Sequence, residues 1–109
     1  MNTLFFGIQQ IQREINETAH DKGWWDEPRN NGELIALCHS ELSEMLDALR
    51  HGNPPSEHIP AFSGAAEEAA DVVIRLMDLC QERCWDLAGA IEAKMEFNKS
   101  RPYKHGKEF

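Results

Sequence analysis

Two pairs of carboxylates constrain this chain most strongly. Glu41 with Glu44, and Glu68 with Asp71, are each spaced three residues apart on two separate predicted helices. Residues at that spacing share one helix face, about one turn apart. Two such helices packed side by side direct four mutually repelling carboxylates at one point, where burial without a counter-charge is costly. Because carboxylate oxygens suit Mg²⁺ or Mn²⁺ rather than Zn²⁺, the pattern predicts a magnesium-dependent enzyme.

The second predicted helix places Glu41 inside its apolar face and Glu44 at the edge of that face. The positions four residues after the two glutamates hold Met45 and Ala48, where a solvated face would carry Lys or Arg. Glutamate is rarely buried unless it is paired or metal-bound. This helix therefore favours metal ligands over a solvated acidic face. Its apolar face comprises Leu34, Leu37, Cys38, Leu42, Met45, Ala48 and Leu49.

The third predicted helix gives a weaker signal. Asp71 and Arg75 on its polar face have the spacing of an i,i+4 ion pair, and Glu67 and Glu68 near its start suit the helix dipole. Alone, this helix would indicate a solvated face. Only its combination with Glu41 and Glu44 on the second helix makes a shared metal site the better interpretation. Its wide apolar face favours packing on more than one side, as at a dimer interface: Ala69, Val72, Val73, Leu76, Leu79 and Cys80.

Composition sets the outer limits. The 109 residues fit one domain, residues 1–109, and a net charge of −8 argues against a nucleic-acid groove. The apolar stretch 4–8 is too short for a signal peptide or a membrane span. Three cysteines, an odd number, indicate free thiols in a reducing cytoplasm. With five histidines a zinc site is conceivable, but no C-x-x-C pair is present and buried thiols are the simpler interpretation.

The helical signal is strong along the chain and the strand signal is weak. Cap residues, helix-closing glycine and short connections predict an all-α antiparallel four-helix bundle. Residues 101–109 form a basic tail that we expect to be mobile. Of the four predicted helices, the first ends near His20 and the second runs from the Asn30 cap to Gly52. The third runs from the Ser63 cap to about Arg83, and the fourth runs from the Asp86 cap to about Asn98.

Two further groups of residues fit a nucleotide ligand. Lys94, Asn98 and Arg101 share one helix face if the helix persists to Arg101, where Pro102 limits it. They suit a polyphosphate opposite a metal, although a cationic last turn also complements the helix dipole. Trp24 and Trp25 offer flat faces for a base, although at least one of them is expected to anchor its loop. The neighbouring residues Arg29 and Asn30 could add phosphate or base contacts.

The chain resembles the MazG-like, all-α nucleoside triphosphate pyrophosphohydrolases. Glu41-x-x-Glu44 followed by Glu68-x-x-Asp71 resembles their E-x-x-E…E-x-x-D metal motif. Ser40 stands where the family commonly has a doubled glutamate, and the doubled pair lies instead at 67–68, which leaves open which of those two faces the metal. The resemblance extends to the dCTP pyrophosphatase-like branch through Trp25-x-x-Pro28-Arg29-Asn30 and Lys94-x-x-x-Asn98-x-x-Arg101-Pro102.

This resemblance implies hydrolysis of an NTP or dNTP to its monophosphate and pyrophosphate, in nucleotide-pool housecleaning. It implies that Mg²⁺ or Mn²⁺ is held by Glu41, Glu44, Glu68 and Asp71. Glu44 is then the candidate base, and Lys94 and Arg101 stabilise charge on the leaving pyrophosphate. Base and sugar contacts fall to Trp24, Trp25 and Asn98, and relatives of this kind form homodimers or dimer-based homotetramers.

Two alternatives stay open. One is a pyrophosphohydrolase on the same fold with another substrate, such as dUTP or phosphoribosyl-ATP. The other is a non-catalytic helical module whose acids only bind metal or a basic partner. The sequence does not decide the preferred base, ribose against deoxyribose, or the number of metal ions.

Overall fold

The computed structural model describes residues 3–109, with side chains from residue 5 onward. Its main elements are α1 (Thr3–Asp21), α2 (Asn31–Arg50), α3 (Gly64–Glu82) and α4 (Leu87–Lys99), followed by a short 3₁₀ turn, Tyr103–Gly106. Within these residues there is no strand, only an isolated bridge between Pro55 and Ser63. The all-α prediction is confirmed.

The helix starts follow the predicted caps. The side chains of Asn30, Ser63 and Asp86 each accept a hydrogen bond from a backbone N–H three residues later, at the starts of α2, α3 and α4 respectively. Each cap thus satisfies an N–H that has no partner inside its helix. Gly52 follows the end of α2 with φ +84°, a left-handed conformation that glycine adopts without strain.

α2 and α3 form an antiparallel pair. At one end the Arg83 side chain donates to Asn31 at 2.8 Å. At the other, a Cβ built on Gly64 would lie 3.3 Å from the Ala48 Cβ, so only glycine allows this approach without adjustment. α1 packs on α3, where Asn16 donates to Asp78 at 2.9 Å, and α4 makes its main contact with α1.

The fold is less compact than expected for a chain of this length. Its radius of gyration is 16.3 Å, against about 13 Å for a compact domain of this size. Leu42 and Leu49 on α2, and Val73 and Leu76 on α3, were predicted to lie on apolar packing faces, yet all four are exposed, Leu49 by 52%. One chain therefore leaves much of the two apolar faces uncovered. A helical bundle is consistent with this arrangement, although it is more open than a closed four-helix bundle.

Two further observations complete the fold. No helix in residues 3–109 is long and apolar enough to cross a membrane. In the C-terminal segment, Lys104 and His105 have φ values of 54° and 55°, so the 3₁₀ turn is irregular. Because nothing in this geometry reports motion, the predicted mobility of residues 101–109 stays a prediction.

Candidate metal centre

Three of the four predicted metal ligands lie together. Glu41 and Glu44 from α2 and Glu68 from α3 each offer a carboxylate oxygen within 4.8 Å of the others. Glu41 is buried at 8% exposure, Glu68 is half-buried and Glu44 is exposed. Among the described side chains this is the only group of three or more candidate ligands, and it contains neither cysteine nor histidine. We call these three residues the carboxylate cluster, and it could bind a metal ion.

The structure separates the doubled glutamates. Glu68 joins the carboxylate cluster, whereas Glu67 turns toward the loop between α2 and α3. There it accepts hydrogen bonds from the Ser56 hydroxyl and the His58 Nδ1, both at 2.7 Å. The choice between Glu67 and Glu68 that the sequence left open thus falls to Glu68.

Asp71 lies beside the carboxylate cluster and is not one of the three residues that meet within 4.8 Å. Together with Glu41 it lines an adjoining cavity. Burial raises the pKa of Asp71, and the negative charges of Glu41 and Glu67 raise it further. Asp71 thus adds negative charge to the edge of the site.

The electrostatics of the cluster are those of a site short of positive charge. The hydrogen bond with Glu41, together with burial, raises the pKa of Glu68 to about 8. Burial opposes ionisation of Glu41, but hydrogen bonds from Glu68 and Arg75 outweigh it and hold the pKa of Glu41 below its ordinary value. Glu68 therefore keeps a proton that it shares with an ionised Glu41. The Oε2 atom of Glu68 is buried and has no hydrogen-bond partner.

Arg75 is the residue at the candidate site whose partner the sequence interpretation misassigned. Its Nε and Nη2 both donate to Oε1 of Glu41, at 3.1 and 3.0 Å. The predicted ion pair between Asp71 and Arg75 was therefore wrong, because the guanidinium reaches across to α2. A usable signal existed: Arg75 follows Glu68 by seven residues, which is close to two helical turns and the same face of α3.

A cavity of about 290 Å³ adjoins the cluster, near the lower limit for small-molecule sites. Acidic, basic and aromatic side chains line it together. They include Lys22, Trp24, Arg29, Glu41, Asp71 and Arg75. A ligand here would meet the carboxylates of Glu41, Asp71 and Asp78, three cations and an indole ring.

The two predicted tryptophans have different surroundings. Trp25 donates its Nε1 hydrogen to the Asp78 carboxylate at 3.0 Å, which anchors the loop to α3. Trp24 lines the cavity and is 62% exposed. The Arg29 guanidinium lies 5.5 Å from the Trp24 ring and 5.4 Å from the Trp25 ring, within cation–π range. Asn30 uses its side-chain oxygen to cap α2.

The predicted phosphate-binding residues of α4 lie elsewhere in the single chain. Lys94 and Asn98 line a separate cavity, and neither they nor Arg101 line the one beside the cluster. Lys94 and Arg101 both lie over the Phe97 ring, at 4.6 and 5.4 Å from its centroid. α4 ends at Lys99, before Arg101, so the three residues do not lie on one continuous helix. Lys94 and Arg101 still share a surface, but within the described residues of one chain they are not brought to the carboxylates.

Comparison with known proteins adds no identification. No family model, no curated protein and no solved structure matches the chain. The class of site is therefore defined by its own chemistry. It is an all-oxygen cluster with one guanidinium for three carboxylates and with one orphaned oxygen on Glu68, and its donor set could hold a hard divalent cation.

Proposed function

We propose that the protein is a Mg²⁺-dependent nucleoside triphosphate pyrophosphohydrolase of the MazG-like kind, with a dNTP such as dCTP as substrate. The observation that carries the proposal is the carboxylate cluster, Glu41, Glu44 and Glu68, beside a cavity lined by Trp24 and by cations. Acids alone would support only metal binding. Their position next to a base-stacking ring and phosphate-binding cations supports a metal–polyphosphate substrate.

Each side chain then has a role in hydrolysis between the α- and β-phosphates. Glu41 and Glu44 from α2 and Glu68 from α3 would hold the cation, and Asp71 would add to the field at its edge. When bound, Mg²⁺ supplies neutralisation of phosphate charge and lowers the pKa of a water molecule. Glu44, the exposed member, accepts the proton of the attacking water. Trp24 stacks on the base.

The α4 cations enter this proposal through a second copy of the chain. The exposed apolar faces of α2 and α3 are surfaces that a homodimer would bury, and two dimers can form a homotetramer. In such a dimer Lys94, Asn98 and Arg101 of one subunit approach the carboxylate cluster of the other. There Lys94 and Arg101 stabilise the charge that develops on the leaving pyrophosphate.

The test is a screen of the common NTPs and dNTPs for pyrophosphate release, with Mg²⁺ and with EDTA. We expect release that requires Mg²⁺ and yields the nucleoside monophosphate. Glu44→Gln should lose at least about 99% of this activity, as expected for loss of a ligand that also acts as base. Asp47→Asn is the matched control, because Asp47 is also exposed on α2 and lies outside the cluster. Release of orthophosphate instead would refute cleavage between the α- and β-phosphates.

The Glu41–Arg75 ion pair favours one alternative. A carboxylate already neutralised by arginine is also what a non-catalytic helical module would contain. That alternative predicts Mg²⁺ binding without turnover on any nucleotide, including dUTP and phosphoribosyl-ATP. Turnover that Glu44→Gln abolishes and Asp47→Asn preserves would exclude it.

A further inference from the structure

Arg75 provides the only salt bridge to the carboxylate cluster among the described residues. Its Nε and Nη2 both bind a single oxygen, Oε1 of Glu41. The other two members have no such partner, and Oε2 of Glu68 is buried without a hydrogen bond. One guanidinium thus compensates a site with three carboxylates, and it does so at the most buried of them.

The same guanidinium belongs to the adjoining cavity. Arg75 is among the residues that line it, and its side chain is 36% exposed, against 10% for Glu41. The contact with Glu41 uses Nε and Nη2, which leaves Nη1 for another acceptor. The base of the side chain is held on α3, and the long flexible stem allows the head to move between Glu41 and the cavity.

We propose that Arg75 is an exchangeable counter-ion: it neutralises Glu41 in the metal-free site, yields Glu41 to the divalent cation, and then binds a phosphate of the substrate in the cavity. This inference rests on the proposed function, since it assumes a metal–polyphosphate ligand. It assigns Arg75 a substrate-binding role that the family resemblance did not supply.

The exchange follows from the charges. A divalent cation at the cluster competes with the guanidinium for Oε1 of Glu41 and repels it. A polyphosphate in the cavity offers the planar guanidinium two oxygens of one phosphate as a bidentate acceptor in place of the carboxylate. Arg29 is less able to exchange in this way, because it lies against Trp24 and Trp25. Lys22 lines the cavity without a salt bridge to the cluster.

The first measurement is Mn²⁺ binding to nucleotide-free protein, detected through the electron paramagnetic resonance signal of the free Mn²⁺. Removal of the competing guanidinium in Arg75→Gln should tighten Mn²⁺ binding by roughly threefold to tenfold. Arg75→Lys, which keeps the charge and loses the fork, should fall between Arg75→Gln and wild type. Lys22→Gln is the matched control for loss of one positive charge in the same cavity, and its Mn²⁺ affinity should stay within about twofold of wild type.

The second measurement is the binding of inorganic triphosphate at saturating Mg²⁺, measured by calorimetry. Arg75→Gln should weaken this binding by at least about tenfold, the loss expected for a charge-assisted contact to phosphate. Tighter Mn²⁺ binding together with weaker triphosphate binding would support the exchange. Unchanged triphosphate binding would overturn the phosphate role.

The remaining outcomes separate this inference from the proposed function. Wild-type protein that binds no Mn²⁺ would refute the metal centre and the exchange together. Wild-type protein that binds Mn²⁺, with equal or weaker binding in Arg75→Gln, would overturn the exchange alone, because Arg75 would then only orient Glu41. Circular dichroism checks that each variant is folded, and Arg75→Lys retains the test if Arg75→Gln is not.

Discussion

Glu67 and Glu68 are consecutive residues of α3 with opposite surroundings. Glu67 accepts hydrogen bonds from Ser56 and His58, and these bonds lower its pKa. Glu68 faces Glu41 and Glu44 of α2, and one of its oxygens is buried without a partner. Its pKa is raised to about 8. A rotation of about 100° around one helix separates a satisfied carboxylate from one that lacks a counter-charge.

The comparison shows that the groups surrounding a carboxylate distinguish a structural glutamate from a candidate metal ligand. The loop supplies what Glu67 needs, so Glu67 fastens residues 56–58 to α3 and requires nothing from outside the chain. The cluster around Glu68 contains one guanidinium for three acids, so it could accept an external cation. Charge balance, more than the acidic motif itself, therefore distinguishes the structural glutamate from the candidate ligand.

The largest effect is expected when the carboxylates of Glu68 and Glu67 are replaced in turn by amides. Glu68→Gln should weaken Mg²⁺ or Mn²⁺ binding by at least about 100-fold, since it removes a ligand rather than one of its supports. Pyrophosphate release should fall with it. Glu67→Gln is the matched control one residue away, and its metal affinity should change by less than about fivefold. Calorimetric titration of both variants checks this, and equal losses in the two would refute the distinction.

The next effect concerns the pH dependence of metal-free stability. Glu68 keeps its proton to about pH 8 in the folded chain and loses it near its ordinary value of 4.5 when unfolded. Between these values the folded state binds more protons, so the free energy of unfolding should fall as pH rises. Glu68→Gln should make this decline shallower. Urea unfolding in EDTA at pH 5 and pH 8 measures it, and an equally steep decline in the variant would contradict the assignment.

Local features of the fold were predictable from the sequence. The caps at Asn30, Ser63 and Asp86 act on an N–H three residues away, so their effect does not depend on distant parts of the chain. The burial of Glu41 was also predictable, because its neighbours on the helix wheel are apolar.

The meeting of Glu41, Glu44 and Glu68 between two helices was predicted, but other features that depend on packing between helices were not predictable. Arg75 bonds Glu41, 34 residues away in sequence, instead of Asp71 one turn away, and only the spacing of α2 and α3 decides between them. A helix wheel also cannot separate Glu67 from Glu68, because its orientation toward a neighbouring helix is uncertain by about the angle between adjacent residues. The position of Lys94 depends on where α4 packs, which no local pattern encodes.

A smaller effect tests the satisfied side of the comparison. Ser56 is buried, donates to Glu67 and accepts from the backbone N–H groups of His58 and Ile59. Ser56→Ala leaves these groups without their partner and should lower the free energy of unfolding by about 1–3 kcal/mol. Ser40→Ala is the control, because Ser40 is an exposed helix serine, and its effect should be within about 0.5 kcal/mol. Urea unfolding compares the two, and equal effects would show that the loop contact adds nothing.

The smallest expected effect is that of His58. Its hydrogen bond to Glu67 raises the pKa of the imidazole above its ordinary value of 6.5. The folded state therefore binds the proton more tightly than the unfolded state, and this contribution is complete below pH 6.5 and is lost as pH rises through the raised value. The side chain is exposed, so the contribution is small.

His58→Asn should therefore lower the urea midpoint slightly at pH 6 and by less at pH 9, since the charge of the wild-type imidazole is lost as pH rises through its raised pKa. His39→Asn, at an exposed position on α2, is the matched control and should show no such difference between the two pH values. A loss for His58→Asn that is the same at pH 6 and pH 9 would mean that the imidazole contributes packing and not charge. Glu67 would then be satisfied by Ser56 alone, and its contrast with Glu68 would rest on one hydroxyl group.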